Sequence, residues 1–224
     1  MSTKNLKKTG ILIAALLVPV LFYFLFQSQH DKRKPSLEFP IPPKPVTKVV
    51  DGDTIVDSVH HKIPDFSFVN QHGMTISNDD LKGEIYIANF IFTNCPAECP
   101  VMTNQLARVQ SAFQNNDRVK FISHTVDPEN DSIEVLAEYA DDYGAIPGKW
   151  HFVTGEKEDI YQLAIKGYFI PAGEDPNPEV QFLHSDKMVL VDQKGRIRGY
   201  YTGVDKKEID KLITEIRVLL QEDE

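Results

Sequence analysis

The apolar pattern changes character several times along the chain, and each change marks an element. Ile11 to Phe26 (ILIAALLVPVLFYFLF) is an unbroken apolar and aromatic run. Taken as 11–27 it is just long enough for a single spanning helix, which needs roughly 17–25 residues. The run ends in aromatic residues and Gln-Ser-Gln instead of the small residues of a cleavage site, so an uncleaved anchor is expected over a signal peptide. Residues 1–10 form a short tail. Its lysines, Lys4, Lys7 and Lys8, favour a cytoplasmic amino end. Lys32, Arg33 and Lys34 follow the run and weaken that asymmetry.

Residues 28–59 read as linker. Lys34 to Pro45 holds five prolines, the composition of a stiff, extended spacer. Val46–Val50 and Thr54–Val59 flank Asp51-Gly52-Asp53, a small hairpin. From residue 60 the pattern is that of a folded domain reaching to 224. Phe66, Phe68 and Val69, the turn Asn70-Gln71-His72-Gly73, then Met74 and Ile76 make a second hairpin. Glu84 to Thr93 (EIYIANFIFT) is a continuous apolar run, the mark of a central strand covered on both faces. Pro100–Phe113 has apolar residues at 102, 106, 109 and 113, a helical period. Val119–Val126 predicts a strand, Ser132–Tyr143 a helix capped by Ser132, Trp150–Val153 a strand and Glu156–Ile165 a helix. Gly167–Gln181 reads as an inserted loop. Lys187–Val191 and Arg196–Tyr201 flank a turn, and Asp205–Leu220 is a final amphipathic helix. This order predicts an α/β fold with a mixed central sheet flanked by helices. A strand running into a cysteine motif and then a helix is the thioredoxin-like arrangement.

Charge and cysteine count narrow the chemistry. A net charge of −9 and a pI near 5.3 argue against a nucleic-acid surface, which needs clustered Lys and Arg. Cys95 and Cys99 are the only cysteines, so a disulfide-stapled mini-fold is excluded. They fall in Cys95-Pro-Ala-Glu-Cys99-Pro100, where the central strand gives way to a helix. Pro100 suits a first helical turn, where a missing N–H costs little. Backbone N–H groups at a helix start favour negative charge, so thiolates are expected to form easily here. The three-residue spacing permits a disulfide, and it also permits two sulfurs on one ion. Soft thiolates suit Cu(I), and an added imidazole suits Cu(II) as well. Metal binding, a redox pair and two inert buried thiols all remain open at this point.

FIFTNCPAECP (Phe90 to Pro100), VDPENDS (Val126 to Ser132) and LHSDKMVLVDQKG (Leu183 to Gly195) resemble the Sco/SenC family of copper proteins. IPDFSF (Ile63 to Phe68) is similar to that family's opening hairpin. The resemblance implies a thioredoxin-like fold and one copper, Cu(I) or Cu(II), bound by Cys95, Cys99 and His184. Asp127 would act behind the ligands, orienting His184. It implies a metallochaperone that helps assemble the copper site of cytochrome c oxidase. The partners would be the copper-site subunit or another copper acceptor, and a protein that keeps the thiols reduced. The expected location is a single-pass anchor in the cell inner membrane, with the domain facing the periplasm.

Two other functions compete. A thiol–disulfide oxidoreductase would cycle Cys95 and Cys99 and reduce the acceptor's cysteines, with no need of His184. A peroxiredoxin-like peroxidase rests on fold alone. Among the other histidines, His60 and His61 are expected to be solvated, His72 to lie in a turn and His151 to be core. His124 lies at a strand end, and Glu98 between the cysteines.

Overall fold

The computed structural model describes residues 16–23, 36–50, 53–174, 182–183 and 185–222. The chain divides into two compact units, Met1–Ser36 with Gln221–Glu224, and Leu37–Leu220. In the first unit, residues 16–23 are helical with exposed side chains; the rest of the 11–27 run lies outside the described residues. Among the described residues, no helix is long and apolar enough to cross a membrane.

The second unit opens with an antiparallel hairpin, β1 (Lys44–Val50) and β2 (Asp53–Val59), paired from Lys44↔Val59 to Val50↔Asp53. A seven-stranded sheet follows, built from β3 (Ser67–Asn70), β4 (Thr75–Ser77), β5 (Ile85–Ile91), β6 (Val119–Thr125), β7 (Trp150–Thr154), β10 (Lys187–Val191) and β11 (Ile197–Thr202). Its order is β11-β10-β5-β6-β7-β3-β4. β5, β6 and β7 run parallel, and the outer pairings are antiparallel. Every residue of β5 is buried, as its unbroken apolar sequence requires of a strand covered on both faces.

Side chains alternate across the sheet. Asn89, Ser123 and Phe152 share one face, and Phe90, His124 and Val153 the other, by the register of β5, β6 and β7. The first face is covered by α1 (Glu98–Ala112) and α2 (Ile133–Asp142). Thr103 of α1 hydrogen-bonds Tyr139 of α2 at 3.0 Å, and the Tyr139 ring packs edge-on against Phe152. On this face the Ser123 hydroxyl donates to Asn89 Oδ1 (2.6 Å) and accepts from Trp150 Nε1 (3.0 Å). The last helix, α4 (Lys206–Glu222), buries Ile209, Leu212, Ile216 and Leu219 at a helical period and is tied to α1 by Arg108–Asp210 at 2.5 Å.

On the second face, α3 (Lys157–Gln162) does not continue as α-helix to residue 165. It changes to a π-turn over Leu163–Gly167. Leu163 and Tyr168 are buried against the sheet there, with the Tyr168 ring on Phe90 and His124. The inserted loop also carries structure: β8 (Gly173–Glu174) pairs antiparallel with β9 (Phe182–Leu183).

Part of the Pro-rich stretch is bound to the domain. Phe39 stacks on His60 at 3.8 Å and lies under the guanidinium groups of Arg196 and Arg198 at 4.7 and 4.5 Å. The Leu37 carbonyl accepts from Arg198 Nη2 at 2.6 Å. His60 and His61 are therefore packed, not solvated as the sequence suggests. The His61 ring sits 4.4 Å from Phe169, with Nε2 2.7 Å from the Gly167 carbonyl oxygen.

Candidate metal centre

Parallel pairing brings the carboxyl ends of β5 and β6 to the same edge of the sheet. The Val126 N–H donates to the Ile91 carbonyl at 2.8 Å, so the two strands leave the sheet side by side. The β5 chain turns at Thr93-Asn94, and the Cys95 N–H donates to the Phe92 carbonyl at 3.2 Å. α1 starts at Glu98, which makes Cys99 its second residue and Pro100 its third. The preceding Ala97 offers no side-chain cap, although a helix start leaves its first N–H groups without intrahelical partners. Pro100 removes one such donor. The Cys99 N–H finds the Cys95 sulfur at 3.5 Å. A thiol thus fills the place that a Ser or Asp side chain ordinarily takes.

Both thiols are free and buried, Cys95 at 6% exposure and Cys99 at 0%. Burial pushes the Cys99 thiol well above its ordinary range; a hydrogen bond from the Phe92 backbone opposes this without overcoming it. The expectation of an easily formed thiolate is corrected at Cys99, because desolvation outweighs the helix start. A soft cation held by these sulfurs would supply the missing charge stabilisation in place of the proton. Two buried thiols four residues apart, with the Cys95 sulfur accepting the Cys99 N–H, at a place that disfavours a bare thiolate, fit a monovalent or divalent copper ion by donor chemistry.

His184 lies outside the described residues. Among the described residues no three His, Cys, Asp or Glu side chains converge as a metal-holding group. Asp127 begins the loop after β6, beside the cysteine turn. Its carboxylate accepts from Asn130 Nδ2 at 3.0 and 2.9 Å, and its N–H donates to Thr125 Oγ1 at 3.0 Å. Glu98 is exposed between the cysteines.

His124 is not part of this edge cluster. It points to the face opposite α1 and is fully buried among Phe66, Phe68, Phe90 and Tyr168, with ring centroids 5.0–5.8 Å away. His151 is core, 3.1 Å from Asn70 Nδ2, and His72 lies in the β3–β4 turn.

Sequence reasoning passed over Asp131. It is fully buried, and its carboxylate accepts from the Thr93 and Thr125 hydroxyls, both at 2.5 Å, and from the Thr93 N–H at 3.2 Å. Burial holds its carboxyl above the usual carboxylate range, while these three donors pull the other way. The available signal was an acid just ahead of the Ser132 cap, following the threonine that ends β6.

A thioredoxin-like α/β domain with two free cysteines where its central parallel strand meets a helix defines the class of protein. The SCO1/SenC family matches residues 57–221. The chain belongs to the SCO1/SenC family. It is 34% identical over 168 residues to the SCO1 protein homolog of Bacillus subtilis, covering 74% of this chain and 86% of that protein. Its fold is similar to that of BsSco, described as a Sco-family cytochrome c oxidase assembly protein with a disulfide switch. The TM-score is 0.63 at 33% identity, with 73% of this chain and 95% of that one covered. It is also similar to Arabidopsis thaliana ScoI with copper bound, at a TM-score of 0.58 and 25% identity, covering 69% and 97%.

Proposed function

We propose that this chain binds one copper ion, as Cu(I) or Cu(II), through Cys95, Cys99 and His184 and passes it to a copper acceptor. The acceptor is the copper-site subunit of cytochrome c oxidase or a protein of the same kind, and a thiol reductant protein keeps the cysteines free. Residues 11–27 hold the chain in the cell inner membrane as a single-pass anchor, with the domain on the periplasmic side. The observation that carries the reading is the pair of free, buried thiols at the strand-to-helix junction, the Cys95 sulfur accepting the Cys99 N–H, in a chain of this family. Asp127 acts behind the ligands, its carboxylate held by Asn130.

The test is a titration of the reduced full-length chain with Cu(I) and with Cu(II). One copper per chain is expected. The Cu(II) form should show a sulfur-to-copper charge-transfer band, and Cys95→Ala, Cys99→Ala and His184→Ala should each abolish it. A second reading is favoured by the same free thiols: a thiol–disulfide oxidoreductase that reduces the acceptor's cysteines. Reduction of a model disulfide that survives His184→Ala, together with no copper uptake, would favour that reading and defeat the first.

A further inference from the structure

Asp131 sits in the loop between β6 and α2, yet its carboxylate does no work for its own helix. The cap of α2 is Ser132, whose hydroxyl accepts from the Val135 N–H at 3.3 Å. Asp131 instead reaches sideways to the neighbouring strand end. Three of the donors that face it come from Thr93 and Thr125: two hydroxyls and one backbone N–H. Thr93 is two residues before Cys95. Thr125 in turn accepts the Asp127 N–H at 3.0 Å. One unbroken chain of hydrogen bonds therefore runs from Asp127 through Thr125 and Asp131 to Thr93, and ends at the turn that presents Cys95.

A carboxylate with no exposed surface is expensive to desolvate, and an apolar side chain of similar volume is often as stable or more so. Stability alone is a poor account of this one. What a buried acceptor facing several donors does provide is orientation, because the directions of those donors set one geometry for both strand ends. We propose that Asp131 is a positioning residue for Cys95, locking the cysteine turn to the Asp127 loop so that the sulfur is held in place before any metal arrives. This rests on the copper reading for what the sulfur does, but not for how it is held.

The test uses the full chain carrying Asp131→Asn, with Thr125→Val as a milder, near-isosteric variant. Asn keeps the size but offers one acceptor oxygen, and its amide nitrogen cannot accept a hydroxyl. Each variant should lower copper affinity by about 10–100-fold, the usual effect of removing a group that orients a ligand. Each should also shift the sulfur-to-copper band, and the two effects should be non-additive in the double variant. A purely structural role would leave the band where it is in the folded fraction. Wild-type affinity and band position in a folded Asp131→Asn protein would overturn the proposal. If the wild-type chain itself takes up no copper, the copper reading fails, and Asp131 is judged by a second measurement. In a Cys99→Ala background, the rate of iodoacetamide labelling at Cys95 should change several-fold on Asp131→Asn. An unchanged rate would then overturn the proposal.

Discussion

The imidazole of His124 is fully buried among four aromatic rings, and neither ring nitrogen has a hydrogen-bond partner. Desolvation pushes its pKa down to about 3, from an ordinary value of 6.5. The folded state therefore binds this proton less readily than the unfolded chain. Its contribution to stability is complete above pH 6.5 and is lost as the pH falls from there toward 3. Between pH 7 and pH 5 this single group should account for about 2 kcal/mol of lost stability. Denaturant unfolding at the two pH values measures it. His124→Leu should show a smaller difference between pH 7 and pH 5 by that amount, and an equal difference would refute the assignment. The sequence placed His124 on a strand but gave no means of choosing its face. Period-2 alternation in a continuously buried strand has no polar side to read. The same limit applies to Asp127 and Asp131: the two aspartates in VDPENDS look alike until the fold shows one tied to Asn130 and the other to two threonines.

At the scale of elements, the contact between the cysteine helix and the start of β10 runs through Gly203. Its N–H donates to the Asp186 carbonyl at 2.6 Å. A methyl group there would lie 2.5 Å from Met102 Cγ of α1 and 2.9 Å from that same carbonyl oxygen. The side chain can turn aside, but the backbone oxygen cannot do so cheaply. Gly203→Ala should therefore cost about 1–3 kcal/mol, read as a lower melting temperature. A wild-type melt would show that the two elements are not in tight contact. The strands and long helices were legible because each carries one clear period: the apolar block of β5, the 102-106-109 spacing of α1, the amphipathic repeat of α4. The π-turn at Leu163–Gly167 was not, since the added residue in that turn leaves no mark in an apolar pattern so short. The β8–β9 pairing was missed for a related reason, as strands of two residues have no period at all.

For the molecule as a whole, the Phe39 clamp makes a prediction about where the domain begins. The clamp includes a hydrogen bond from a charged group, worth about 1.5–3 kcal/mol, and two cation–π contacts of about 0.5–1 kcal/mol each. A chain starting at Ser36 should melt with the full-length domain, whereas one starting at Pro43 should lose about 2.5–5 kcal/mol. Equal melting of the two truncated chains would mean that Leu37 and Phe39 add nothing. The overall α/β order with its mixed sheet was readable from the sequence, as was the position of the cysteine pair. The clamp was not, because the composition of a Pro-rich stretch says how stiff it is and nothing about what it rests on. Its placement has a mechanical consequence. Arg196 and Arg198 stand at the start of β11, and the antiparallel pairings through β10 put that start beside the amino end of β5, near Tyr86. The cysteines leave from the other end of the same strand. The Phe39 clamp and the cysteine turn therefore sit at opposite ends of the sheet. A pull applied at Leu37 is taken up by Arg198 and the Phe39 ring, a full strand length from the sulfurs, and leaves the cysteine turn unloaded.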